Sequence, residues 1–360
     1  MTSNTQVSIS KSDFGTLSCG TNTDIYTLEN QLGTRIRITN YGGIITHWYC
    51  NDRKGHSDDI VLGYDNITSY EQDTYYLGAV IGRYAGRIDN GKLCIDEEEY
   101  QLSLNGAKNQ LHGGFKGLNK RLWQGKIKQE TNRVSLELTY TSPAGEEGFP
   151  GTVNFKVIYS LDSDNAFDVE YFAETDKKTI VNLTQHTYFN LLGHTNGNIN
   201  SHEVMLNANN FLPMNQDIYP TGELANVKDS CHDFTKFTSI GDNINNNDDE
   251  QVAIAKGYDN YWLFNEEVMN SGKIAAQVKT ASNGRRIDVY TDQPCVILYT
   301  ANYIDGSHLG KEEHTYQARA ALCIETQQAF DKEHLAPQTA CLITPDAPFY
   351  SKTSFVMSTF

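Results

Sequence analysis

Residues 182–193 read NLTQHTYFNLLG, and a period of two puts Thr184, His186, Tyr188 and Asn190 on one side and Leu183, Phe189 and Leu191 on the other. The apolar set wants a core. The polar set suits a cleft wall, where an imidazole with an ordinary pKa of about 6.5 can pass a proton at cellular pH. For this segment alone, a half-buried strand with a solvated polar face is the alternative. The second candidate for proton transfer is Glu325 in ALCIETQQAFD (321–331), where Cys323, Glu325 and Gln327 share one side of an apolar strand. A carboxylate set between Leu322 and Ile324 loses solvation, which raises its pKa and basicity unless a cation or donor offsets the loss. Together the two would supply a general acid and a general base.

Three further segments carry groups that can hold a polar ligand. GAVIGRYAGRIDNGK (78–92) alternates so that Arg83, Ala85 and Arg87 share a face. The guanidinium fork fits paired hydroxyls or a carboxylate, although an arginine ladder on a solvated strand gives the same pattern. NQLHGG (109–114) sets His112 ahead of two glycines, in a tight turn that can present an imidazole or merely contain one. GYDNYW (257–262) joins Asp259 to aromatic rings. Sugars call for that mixture, because they offer an apolar ring face and a hydroxyl edge; a turn aspartate beside core aromatics would look alike. His194 and His202 lie in a Gly/Asn-rich stretch and read as bystanders. The chain has no Walker A loop, G-x-G-x-x-G, G-x-S-x-G or H-E-x-x-H, and its ten histidines lack metal-ligand spacing. Neither a metal nor a cofactor is expected.

Strands must position these groups. RVSLELTY (133–140), TVNFKVIYSL (152–161) and AFDVEYFAE (166–174) alternate apolar with polar, as antiparallel strands solvated on one side do. Asn90-Gly91 and Asn283-Gly284 read as hairpin turns, and DEEE at 96–99 as a solvated turn. Helical periodicity is confined to a short turn of helix around 66–73. The expectation is an all-β chain, a large antiparallel β-sandwich, with residues 1–360 as one domain because no linker interrupts them. DNINNNDDE (242–250) is too polar to bury and reads as a mobile surface loop.

Among the 360 residues, 29 Lys and Arg face 45 Asp and Glu, a formal net charge of −16. That balance argues against nucleic acid and against anionic membranes, both of which need basic patches. Seven scattered cysteines without a C-x-x-C argue against a disulfide framework, and Cys295 and Cys323 read as small core residues. The start, MTSNTQVSISKSDFG, has no cationic segment followed by an apolar run, which points to a cytoplasmic protein. In that setting the sequons at Asn66 and Asn182 carry little weight.

Taken in order, GAVIGRYAGRI, LHGG, GFPG (148–151), NLTQHTYFNLLG, TGE (221–223), GYDNYW, TDQPCVILYT and IETQ resemble the aldose 1-epimerase (galactose mutarotase) family, from about residue 30 to 330. The resemblance implies a galactose mutarotase-like supersandwich, no cofactor, and exchange of the α and β anomers of free hexoses. It implies Glu325 as general base and His186 as general acid. Arg87, His112, Asp259 and Gln293 would bind sugar hydroxyls, with Tyr188 beside His186. Gly86 stands among the substrate-binding positions where the family often has Asn. Asn260 stands where the family often has His, and Tyr84 replaces a small aliphatic residue. The loop past Glu325 matches poorly.

Opening a hemiacetal requires taking the proton of the anomeric hydroxyl while protonating the ring oxygen, which a carboxylate and an imidazolium on opposite sides of a sugar would do. Three other readings stay open. A hexose-6-phosphate mutarotase would use Arg83 or Arg87 on the phosphate. A glycoside hydrolase would pair Asp259 with Glu325. A non-catalytic sugar-binding protein would have no use for Glu325.

Overall fold

Alternation governs the largest sheet. The computed structural model describes residues 6–329 and 340–360, so most of the loop past Glu325 lies outside the described residues. Strands Arg133–Ser142, Val153–Asp162 and Ala166–Thr175 pair antiparallel in register, bury Val134, Leu136, Leu138, Val157 and Val169, and turn Ser135 and Glu137 outward. They belong to a nine-stranded sheet that continues through Phe349–Thr359, Arg285–Thr291 and Ala276–Lys279. The last two form the hairpin expected at Asn283-Gly284. A five-stranded antiparallel meander, from Val7–Thr16 to Ser57–Asp59, packs with this sheet. Trp48 of the meander meets the rings of Phe167 and Phe355 from the large sheet and Phe189, with centroids at 4.8, 6.0 and 5.5 Å. Fully burying a side chain of this class contributes about 1.5–3 kcal/mol. The architecture is the large antiparallel β-sandwich read from the sequence.

A second five-stranded sheet carries the chemistry. Its order is Ala225–Asn226, Asn210–Leu212, Asp259–Leu263, Cys295–Tyr299, Cys323–Gln327. The short helix appears as Ile67–Gln72, with Asn66 Oδ1 accepting from Ser69 N at 2.9 Å. The DEEE turn joins Lys92–Ile95 to Glu98–Gln101, with Asp96 and Glu97 at φ 49° and 68°, as a tight hairpin requires.

Three local readings need correction. Asn90-Gly91 joins no hairpin: Arg87–Ile88 pairs with Gln110–Leu111, while Lys92–Ile95 pairs with Glu98–Gln101. Residues 182–193 do not form one long strand; only Thr184–Gln185 is a strand, and both sides of 182–191 are buried. The backbone is held in pieces by different neighbours, so no solvated face exists there. Nor is 242–250 a single loop. Asp242 and Asn243 close helix Ile240–Asn243, Ile244 is buried, and Asp249 caps helix Glu250–Ala255 by accepting from Gln251 N and Val252 N. Asp242, residues 245–248 and Glu250 are exposed there, while Asn243 and Asp249 are half-buried.

Candidate active site

The register of the second sheet builds one wall of a cleft. Tyr261 lies opposite Ile297, which lies opposite Glu325; one step along, Asp259 lies opposite Tyr299 and Tyr299 opposite Cys323. Directly paired residues in an antiparallel sheet share a face, so these six side chains point one way. Asn260, Trp262, Leu298 and Ile324 point the other way, and the last three join the main core. Across the cleft, segment 182–190 is pinned by backbone bonds. His186 N donates to Ala79 O and Gly78 N to His186 O, both at 2.9 Å, while Phe189 exchanges bonds with Leu322. That last bridge brings His186 beside the Glu325 strand.

The cleft encloses about 210 Å³ and is lined by Arg87, His112, His186, Tyr188, Asp259 and Glu325, with Gly86 and five further tyrosines at 75, 76, 261, 299 and 303. His186 Nε2 lies 3.5 Å from Glu325 Oε1, and both side chains are almost wholly buried. Among the described residues, Glu325 Oε2 has no hydrogen-bond partner. Burial, reinforced by the Asp259 carboxylate, holds Glu325 well above the ordinary carboxylate range, with Arg87 offsetting part. Burial likewise pulls His186 down to about 4. The pair therefore favours its uncharged arrangement, with the proton on the carboxyl. This corrects the expectation of an imidazole titrating near its ordinary value.

His112 sits at φ 51°, where its Nδ1 accepts from Gly86 N at 3.2 Å. Burial, with His186 and Arg87, holds it well below the usual imidazole range, so it is neutral and carries its hydrogen on Nε2 as a donor. Burial also raises Asp259, with Arg87 offsetting the effect. Tyr188 donates to Tyr75 O at 2.8 Å and lies against the His186 ring, centroids 5.0 Å apart. Asn182 joins three site-bearing segments: Nδ2 donates to Ala85 O and to Gln327 Oε1, and Oδ1 accepts from Gln328 N.

Two sequence candidates fall elsewhere. Gln293 is buried outside the cleft lining and donates to Asp292 Oδ1 at 2.9 Å. Arg83 does not share a face with Arg87; its guanidinium is spent on Ser142 and on the carbonyls of Ser142, Pro143, Pro150 and Gly151. Of the three departures from the family pattern, only Gly86 touches the cleft. Asn260 bonds to Gln251 and His232, and Tyr84 lies in a separate buried cluster. Tyr188 and the rings of GYDNYW were expected at the cleft; Tyr75, Tyr76 and Tyr303 lie outside the strands, where alternation places no side chain, and Tyr299 sits in an apolar strand that reads as core.

His186, Cys323 and Glu325 have potential ligand atoms within 4.8 Å of one another, a trio from segments 137 positions apart that no spacing rule detects. Burial keeps the Cys323 thiol protonated well above its usual range, which works against a metal there.

A family model described as Aldose 1-epimerase matches residues 24–355. The chain is 36% identical over 356 residues to galactose mutarotase of Bos taurus, covering 98% of this chain and 99% of that protein. It is 30% identical over 333 residues to aldose 1-epimerase of Escherichia coli, covering 92% and 94%. The crystal structure of galactose 1-epimerase from Lactobacillus acidophilus superposes with a TM-score of 0.86 at 25% identity, over 98% of this chain and 99% of that one. The chain belongs to the aldose 1-epimerase family.

Proposed function

We propose that this protein is a mutarotase, an isomerase that exchanges the α and β anomers of free hexoses such as glucose and galactose. The anomeric hydroxyl and the ring oxygen are bonded to the same carbon, so the base for one and the acid for the other must be neighbours. The 3.5 Å contact between His186 Nε2 and Glu325 Oε1, at the wall of a cleft, carries this reading. It replaces the picture of two groups on opposite sides of the sugar.

Once the Glu325 proton has passed to His186 Nε2 across their 3.5 Å contact, the carboxylate, whose Oε2 has no protein partner, takes the anomeric proton while the imidazolium Nε2–H protonates the ring oxygen. The ring carbon–oxygen bond breaks, the aldehyde turns, and the hydroxyl recloses on its other face with both protons returned. With the ring open, the pair is a protonated carboxyl and a neutral imidazole, the arrangement that burial favours. His112 Nε2–H, Arg87 and Asp259 are placed to bond sugar hydroxyls, and the tyrosines to face the ring.

A phosphorylated substrate is less well served, because Arg83 is committed to backbone carbonyls. We further read residues 1–360 as one domain of a cytoplasmic protein that binds neither nucleic acid nor membranes. In support, all seven cysteines are free, and no described helix is long and apolar enough to cross a membrane. Polarimetry of freshly dissolved α-glucose and α-galactose tests the activity: accelerated decay of rotation is expected, and a rate equal to the uncatalysed one would refute it.

A further inference from the structure

We infer that Cys323 is a positioning residue for His186, its sulfur accepting the Nδ1–H so that Nε2 is the nitrogen that exchanges protons with the sugar. This rests on the anomer-exchange reading above. Cys323 Sγ lies 3.5 Å from Nδ1, and Glu325 Oε1 lies 3.5 Å from Nε2. Two residues apart on one strand, they meet the two nitrogens of the same ring. Besides Cys323, the ring is in hydrogen-bond reach of its own backbone carbonyl, which also favours a protonated ring nitrogen.

The chemistry requires such a choice. When imidazolium Nε2–H gives its proton to the ring oxygen, the carbon–oxygen pair stays on that oxygen, and the anomeric O–H pair becomes the carbonyl as its proton passes to Glu325. His186 is then neutral and must take a proton back on Nε2 for reclosure. Its remaining hydrogen therefore has to sit on Nδ1, and the opposite tautomer would stall the return step.

The sulfur also suits the task by being a weak acceptor. A carboxylate at Nδ1, as in serine-hydrolase triads, orients the ring but stabilises the imidazolium. A ring oxygen is a poor base and needs a strong acid. Sulfur holds the tautomer and leaves the imidazolium acidic, in line with the depressed His186. The other groups around the ring do not take over this role. Tyr188, Tyr299, Tyr76 and His112 meet it with their rings. Among charged groups of the cleft, Glu325 is at Nε2, while Arg87 and Asp259 line the same space.

Nitrogen NMR of the histidine-labelled protein, with His186 assigned through His186→Gln, reads the tautomer directly. A proton on Nδ1 is expected; a proton on Nε2 of neutral His186 overturns the inference. Cys323→Val, which removes the acceptor, is expected to lower kcat about 10–100-fold, as loss of a histidine-orienting partner does elsewhere, with KM little changed. Cys323→Ser is expected to rescue both tautomer and rate, and Cys323→Asp to move the acidic limb of the kcat–pH profile upward. A Cys323→Val enzyme with wild-type kcat overturns the inference; should that variant fail to fold, the wild-type tautomer and the serine variant decide. If His186→Gln itself keeps full activity, the anomer-exchange reading fails instead.

Discussion

The nine-stranded sheet and the cleft-bearing five-stranded sheet treat polar side chains in opposite ways. In the first, buried charges find partners: Asp168, nearly buried, is met by Arg133 and by Lys352 at 2.8 Å, although Ser351 Oγ and Arg285 Nε are left without one. In the second, strands Cys295–Tyr299 and Cys323–Gln327 are buried along their whole length, and Glu325 keeps one oxygen without a protein partner. One sheet neutralises its buried carboxylate. The other holds bonding capacity in reserve for a ligand, at a cost of about 1–3 kcal/mol for each buried polar group left unsatisfied. Function and stability should therefore separate between the two sheets when each is perturbed.

The largest effect belongs to the cleft. Glu325→Gln and His186→Ala should each lower kcat about 10²–10⁴-fold by polarimetry, the contribution of a positioned acid or base. A variant that kept the wild-type rate would remove its residue from the chemistry. The mirror experiment is Leu136→Ala in the large sheet, which opens a cavity in the core. It should lower the unfolding free energy by about 2–5 kcal/mol in urea melts and leave kcat/KM unchanged in native conditions.

The third test sets stability against pH. Glu325 has a raised pKa when folded and about 4.3 when unfolded, so the folded state binds the extra proton between the two. The Glu325 contribution to stability then falls as pH rises through that window, while the lowered His186 acts in the opposite sense in both proteins. Glu325→Gln lacks this penalty, so its unfolding free energy should overtake that of the wild type increasingly above about pH 4.3, by an amount on the order of 1–3 kcal/mol. Equal pH dependence in the two proteins would mean that the carboxyl is not strained by burial. The smallest effect is expected at Gly86, at φ 94°, where a Cβ would meet the Tyr261 hydroxyl at 2.5 Å. Gly86→Ala should add roughly 1 kcal/mol of strain and raise KM severalfold, with kcat nearly intact.

The same contrast explains what could be read in advance. In the large sheet one face is wet, so RVSLELTY and its neighbours show their strands plainly, and Asn283-Gly284 marks a true hairpin. In the cleft region both faces are buried, so period two identifies neighbours on a face but not what the face meets. Glu325 was legible because a carboxylate in an apolar strand calls for explanation, whereas His186, Asp259, His112 and Arg87 each allowed an ordinary structural reading until the ordered family motifs drew them together. Arg83 was misread since alternation assumes an unbroken strand, and 78–92 is broken between Val80–Ile81 and Arg87–Ile88. Gln293 followed from the family pattern alone, and its burial beside Asp292 takes it out of the cleft. Cys323 looked like filler; only the fold shows what its sulfur touches.

Asn182 lies behind the cleft and is 1% exposed, yet its single amide ties together the chain around Ala85, the strand that bears Glu325 and its own segment leading to His186. A designer wanting new sugar selectivity would have more latitude at the exposed Tyr303 of the cleft lining than at this joint. Any sugar chain attached to its sequon would have to be added before the polypeptide closes, and would then keep it from closing.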